Sequence, residues 1–280
     1  MARSTSMAAR RELGEELRRL RGERRGSRVA AELRWSESKL SRIETARTGI
    51  SDADLERLLD LLGVPQGERA PLRELARRGR ARGWWAPYRS SVAEPYDEYV
   101  AFEAEAMRMC EWEPQLVPGL LQTDEYAHAI IQVGADVRDP EVLQQRTALR
   151  MARQSVLTRD PAPELCVVLD EAVLRREVGG AGVLRRQLQR LYDASQRPRV
   201  EVRVLPFRAG SHAALTDAFV IFDFDDRPPL VHTEDLVGGQ LRTRGRDVQV
   251  YRDAFDDVRS RALDLSETRS FIARSVERLG

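Results

Sequence analysis

Between Ser27 and Glu44 the apolar residues fall at Val29, Leu33, Trp35, Leu40 and Ile43, and the small Ala30 stands where two helices must pass closely. That spacing fits two short amphipathic helices joined by a sharp turn. Ser36 is a good N-cap for the second helix, because its hydroxyl can accept from a free backbone N–H two or three residues on. Trp35 before it and Leu40 at the fourth helical position form a hydrophobic staple. The stretch therefore predicts helices over about 27–33 and 37–45.

With Leu40 and Ile43 turned inward, Glu37, Ser38, Lys39, Ser41 and Arg42 fall on or near the outward face. A helix-turn-helix lays its second helix in the DNA major groove, where short or bidentate side chains near its N-terminus reach base edges. Charge supports this. Residues 1–83 carry 20 Lys+Arg against 13 Asp+Glu, a balance of +7, and the remainder carries 26 against 32, a balance of −6. A basic front on an acidic body suits a polyanion-binding module joined to something else.

The first 82 residues read as five helices. One is expected over 9–24, with Leu13, Leu17 and Leu20 inward and Arg18, Arg19, Arg21 and Arg24 outward, on a solvated face or at phosphate. A fourth begins at a capping box, Ser51 with Asp54, and ends at Gly63. A fifth covers 66–82 and finishes in Arg77, Arg78, Arg80 and Arg82, which a helix C-terminus favours in itself. Residues 1–8 are polar and small and are expected to be disordered, 9–82 to form the helix-turn-helix domain, and 83–94 to form a hinge that Trp84 and Trp85 pack onto the second domain.

Residues 95–280 read as a second, α+β domain. Helices are expected over 95–111, with Tyr99, Phe102, Ala106 and Met109 on one side, over 123–133, and over 139–157, where Arg146, Arg150, Arg153 and Gln154 would be exposed. Strand signals start at 165–169, a continuous apolar run, and continue at 200–205 after a helix over 183–195. Strand, helix, strand at this length suggests a right-handed parallel crossover. Residues 218–224 and 230–233 pair as a hairpin, and helices over 248–262 and 267–279 close the chain. The fold class is α+β, mostly α, with a small mixed sheet flanked by helices.

Cys110 and Cys166 are the two cysteines, and His128, His212 and His232 the three histidines. None has zinc-ligand spacing, so no metal or cofactor is expected. No apolar core segment follows the Arg-rich start and no run approaches a membrane span, so the expectation is a soluble, cytoplasmic protein without a membrane partner. No nucleophile elbow, P-loop or metal motif occurs. Asp170, Glu171, Glu234 and Asp235 with His212 and His232 could supply acid–base groups, but nothing fixes their geometry, and the expectation is that the protein is not an enzyme.

Residues 8–65 resemble the lambda-repressor-like, Xre-type helix-turn-helix domain, a five-helix DNA-binding fold. From about residue 84 to 279 the chain is similar to the uncharacterised C-terminal domain of actinobacterial antitoxin-like regulators. The matching phrases are Val117–Thr123, Arg150–Leu157, Leu169–Arg176, Val204–Phe207 with Gly210 and His212, and a strand ending in Glu234. The resemblance implies a transcriptional regulator acting as a homodimer on an inverted repeat of double-stranded DNA, with a small protein encoded nearby as partner.

By position, Glu37, Ser38, Lys39 and Arg42 match base-reading sites, and Arg25, Arg28, Ser41 and Arg47 are expected at phosphate. Arg34 and Ala46 stand where glycines are usual, and Gly26 and Ser27 replace the polar start of the first helix of the motif. In the second domain Trp84, Trp85, Pro118, Gln122, Asp170, Glu171 and Arg175 are the residues expected to line an effector or partner pocket.

Overall fold

A computed structural model describes residues 6–46, 48–79, 96–134, 139–225, 227–235 and 238–280. The chain divides into two compact units, Met1–Ala86 and Pro87–Gly280. The expected hinge, with Trp84 and Trp85, lies outside the described residues.

The first unit is a bundle of five helices: α1 (Ser6–Arg21), α2 (Gly26–Glu32), α3 (Glu37–Glu44), α4 (Asp52–Leu61) and α5 (Arg69–Gly79). α1 begins three residues before the expected start, and Gln66–Glu68 form a 3-10 turn ahead of α5. Its core gathers Leu13 and Leu17 of α1, Val29 and Ala30 of α2, Leu40 and Ile43 of α3, and the leucines of α4 and α5. Ser36 caps α3 as expected, its Oγ accepting from Lys39 N at 3.2 Å. Ser51 Oγ likewise accepts from Asp54 N at 3.1 Å. Only half of the expected capping box forms, however, because the Asp54 carboxylate turns to Lys39 Nζ at 2.8 Å. Gly63 ends α4 with a φ of +73°.

The α2–α3 turn takes the left-handed conformation at Arg34, with φ +58°, and the turn after α3 does so at Ala46, with φ +63°. These are the two positions where the resemblance leads one to expect glycine. A Cβ in this region crowds the following carbonyl, so each residue carries strain that glycine would not.

The second unit is built on a six-stranded mixed sheet, ordered β3-β2-β1-β4-β5-β6. The strands are β1 (Arg108–Glu113), β2 (Glu164–Asp170), β3 (Val200–Leu205), β4 (Phe219–Asp223), β5 (Leu230–Glu234) and β6 (Gly239–Arg242). β1, β2 and β3 are parallel neighbours, and β4, β5 and β6 continue antiparallel from β1. The helices are α6 (Tyr96–Glu105), α7 (Asp124–Val133), α8 (Pro140–Arg153), α9 (Ala181–Ala194), α10 (Gly245–Arg261) and α11 (Leu265–Glu277).

One expectation is corrected here. The helix expected over 95–111 stops at Glu105, and Arg108–Glu113 form a central strand. Tyr99, Phe102, Ala106 and Met109 keep a helical spacing across the break, which hides it. Inside the sheet the alternation is Met109, Glu111 and Glu113 on one face and Cys110 and Trp112 on the other. Met109 joins the core under α6, α9 and α11, whereas Cys110 and Trp112 join the core under α10. Cys110 and Cys166 are register partners on β1 and β2, both free and buried. β6 went unrecognised in the sequence because it is short and polar. No helix among the described residues is long and apolar enough to cross a membrane.

Candidate DNA-reading surface and a buried polar cluster

α3 is held from behind. Arg21 of α1 donates to Glu44 of α3 from Nε at 2.6 Å and from NH2 at 3.0 Å. Beside this clamp the helices nearly touch at Gly14, where a Cβ would stand 2.7 Å from the Glu44 carbonyl oxygen. With its inner side thus fixed, α3 turns Glu37, Ser38, Ser41 and Arg42 to solvent. Gly26, Ser27, Glu37, Ser38, Ser41 and Glu44 line a shallow groove between α2 and α3.

The expected base readers separate on inspection. Glu37, Ser38 and Arg42 are exposed, and Arg42 makes no ion pair among the described residues. Lys39 is different: its ammonium is bonded to Asp54 of α4 and lies 4.3 Å from the centre of the Trp35 ring. It ties α3 to α4 and to the turn.

Among the expected phosphate contacts, Arg25 and Ser41 are exposed, and Arg28 reaches Glu32 at 3.2 Å while remaining largely solvated. Arg47 lies outside the described residues. The basic balance of this unit is partly spent internally. Arg19 pairs with Glu16, Arg24 donates to the Leu61 carbonyl and to Glu32, and Arg69 is buried against Asp60 and Glu56. Arg19, Arg21 and Arg24 thus each make a contact within the unit.

Of the residues expected to line a pocket in the second unit, Pro118, Gln122, Asp170, Glu171 and Arg175 are described, and Trp84 and Trp85 lie outside the described residues. Asp170 accepts from Ala172 N at 2.8 Å as the cap of a 3-10 turn. Glu171 is buried, accepts from Arg175 and from Phe207 N, and so joins the ends of β2 and β3. No hydrogen bond or ion pair among the described residues links these three to Pro118 or Gln122. His212 packs on Trp112, whose side chain lies in the core under α10, while His232 packs on Tyr99 in the region of α6. The two histidines therefore do not assemble into one acid–base set.

Gln122 belongs to a network that the sequence did not announce. Gln122 donates to the Val117 carbonyl at 2.7 Å and accepts from Arg150 NH1 at 3.1 Å. Gln154 Nε2 reaches the Gln122 carbonyl at 2.7 Å. Arg153, expected on the surface, is only 3 % exposed and grips Glu103 of α6 with both nitrogens of its fork. It also lies against Gly119 and the Tyr99 ring.

Next to that ion pair stand two further acids of β1. Glu111 and Glu113 are two residues apart on one face, and their carboxyl groups hydrogen-bond each other. Burial, and then the negative charge of Glu103, pushes the Glu111 carboxyl up to about 8. Glu113 is raised well above the carboxylate range by burial and by Glu111. Burial, with Arg153 nearby, lowers His232 to about 4, so it is neutral. The signal available in the sequence was the alternation Met109-Cys110-Glu111-Trp112-Glu113, in which acids recur with period two inside an apolar strand.

A model described as a helix-turn-helix domain matches residues 12–72. A second, described as a domain of unknown function (DUF5753), matches residues 96–274. No curated protein and no solved structure matches the chain. With an N-terminal helix-turn-helix and nearly all of its second unit covered by one model, the chain belongs to the DUF5753 family.

Proposed function

We propose that the protein is a sequence-specific transcriptional regulator of the Xre type, antitoxin-like, which reads operator DNA with α3. The observation that carries this is the exposed row Glu37, Ser38, Ser41 and Arg42 on a helix clamped from behind by Arg21 and Glu44. A bidentate Arg–guanine pair is worth about 1–3 kcal/mol of discrimination, and Arg42 is the unpaired arginine placed to make one. Two-fold symmetry matches paired half-sites, so the reading includes a homodimer on an inverted repeat. It is a cytoplasmic regulator and not an enzyme.

The test is a salt titration of duplex DNA binding by fluorescence anisotropy with the full chain. Log affinity should fall with log salt by about 0.9 per phosphate contact. A flat response counts against DNA as the partner.

The second unit offers a separate reading, as the sensor or protein-docking part of the regulator. The buried acids Glu111 and Glu113, beside the Glu103–Arg153 ion pair, support it, since a fold scaffold gains nothing from acids held protonated by burial. In this reading a small protein encoded nearby, or an effector, controls when α3 binds. Isothermal titration of the full chain with the neighbouring protein separates docking from sensing.

A further inference from the structure

Glu37 opens α3 as an exposed acid on the side that turns to solvent, and its carboxylate makes no ion pair or hydrogen bond among the described residues. A carboxylate at a surface that meets phosphate is repelled by it unless it finds a donor there. The helix itself gives one reason for an acid at this place, because negative charge in the first turn complements the helix dipole. That reason needs no DNA. The residues around Glu37 supply a second.

With about 100° between successive residues, Ser38 stands near the middle of the outward face of α3. Ser41 and Arg42 flank it. Glu37 lies at the margin bordering α2, where it lines the groove with Ser27, Ser38 and Ser41. The middle of the face is therefore short: Ser38, Ser41 and Thr45 are all exposed, and the Thr45 hydroxyl turns back to donate to the Ser41 carbonyl at 2.7 Å. Short side chains let the helix backbone approach the floor of a major groove, and long ones at its margins then reach base edges. Glu37 and Arg42 are those long side chains. Lys39, the third in this stretch, is bonded to Asp54 of α4.

An ionised carboxyl can only accept hydrogen bonds. In the major groove guanine, adenine and thymine each present an acceptor, whereas cytosine presents only its N4 amino donor. Cytosine is thus the base whose edge suits Glu37.

We propose that Glu37 reads a cytosine in each operator half-site by accepting from its N4 amino group. Glu37 and Arg42 are five residues apart, about 7.5 Å along the helix, which spans about two base-pair steps. The half-site therefore carries this C·G pair about two or three steps from the guanine read by Arg42. The inference deepens the DNA reading of α3 and rests on it.

The experiment selects duplexes from a randomised pool with the full chain and with its Glu37→Gln and Glu37→Ala variants. The parent should enrich the cytosine and the guanine at the stated spacing. Glu37→Gln should move the preference at the cytosine to adenine, which glutamine holds through N6 and N7, and should leave the guanine in place. The selected duplex is then remade with N4-methylcytosine at that position, where a methyl group replaces the amino hydrogen facing the groove. This should weaken the parent at least about fivefold, as a mismatch does, and leave Glu37→Ala unaffected. The loss by the parent needs no variant, so it stands even where a substitution disturbs folding.

An enriched motif without the cytosine would overturn the proposal. So would a Glu37→Gln variant that binds every duplex more tightly with its motif unchanged, the result expected if the carboxylate only repels. Equal sensitivity of the parent and Glu37→Ala to the methyl group would overturn it as well. In each of these cases a motif is still enriched, and the failure tells against Glu37 alone. Enrichment of no motif, together with a flat salt response, removes the DNA reading and this proposal with it.

Discussion

Arg21 on α1 holds both carboxylate oxygens of Glu44 at the end of α3, at 2.6 and 3.0 Å, and Glu44 is buried beneath the outward-facing residues of that helix. α3 is thus positioned by a charge-assisted fork on its inner side while Glu37, Ser38, Ser41 and Arg42 stay exposed on its outer side. Such bidentate pairs fix orientation as well as contributing energy. The clamp and the close approach at Gly14 place α3 with little room to slide.

Gly14→Ala is expected to disturb this placement. The added methyl would meet two backbone carbonyl oxygens, of Glu44 at 2.7 Å and of Ile43 at 3.0 Å, and neither can rotate away as a side chain could. Overpacking of this kind costs about 1–3 kcal/mol. Urea denaturation should show the loss, and duplex affinity should fall with it. An unchanged midpoint would mean that the two helices are not held this closely.

Arg34→Gly and Ala46→Gly should each stabilise the first unit, because both residues hold positive φ. Relief of left-handed strain outweighs the extra chain entropy of glycine by about 0.5–1 kcal/mol. The check is again the urea midpoint. A decrease in either variant would contradict the assigned turn conformation.

Lys39→Met should lower stability while leaving sequence preference intact, since the Lys39 ammonium is bonded to Asp54 and stacked on Trp35. The expected loss is about 0.5–1.5 kcal/mol, as for a partly exposed charged hydrogen bond. A selected-site experiment should return the same operator as the parent chain. A changed base preference would restore Lys39 to the base-reading set.

Glu111 links stability to pH. Its carboxyl goes from 4.5 in the unfolded chain to about 8 in the folded one, so the folded state holds the proton more tightly. The stability it contributes is complete below about pH 4.5 and is lost as pH rises towards 8, at up to about 1.4 kcal/mol per pH unit. Glu111→Gln removes that titration. Between pH 5 and 8 the variant should therefore gain stability relative to the parent, measured by urea denaturation at each pH. Parallel curves would show that Glu111 is not held protonated.

The first unit was legible because local rules decide it. Ser36 capping, the Trp35–Leu40 pairing and the Gly63 stop depend on residues within one turn of each other, and the positive φ at Arg34 follows from turn geometry. What Lys39 does was hidden, since Asp54 lies on another helix and comes near only through tertiary packing. β1 was misread for a similar reason. Met109 continues the helical spacing of Tyr99, Phe102 and Ala106, and two glutamates in a central strand contradict the apolar run by which such strands are recognised. Local rules tend to fail at unusual positions, and here the departure marks Glu111 and Glu113, the acids of a central strand. Arg153 was assigned to the surface for want of its partner Glu103, which is 50 residues away in the chain.

The most direct measurement selects binding sites from a randomised duplex pool with the full chain and with Arg42→Ala. The parent should enrich a defined inverted repeat, and the variant should lose its base preference at one position per half-site while keeping the rest. An unchanged motif, or the same loss of affinity for selected and random duplexes, would contradict base reading by Arg42 on α3.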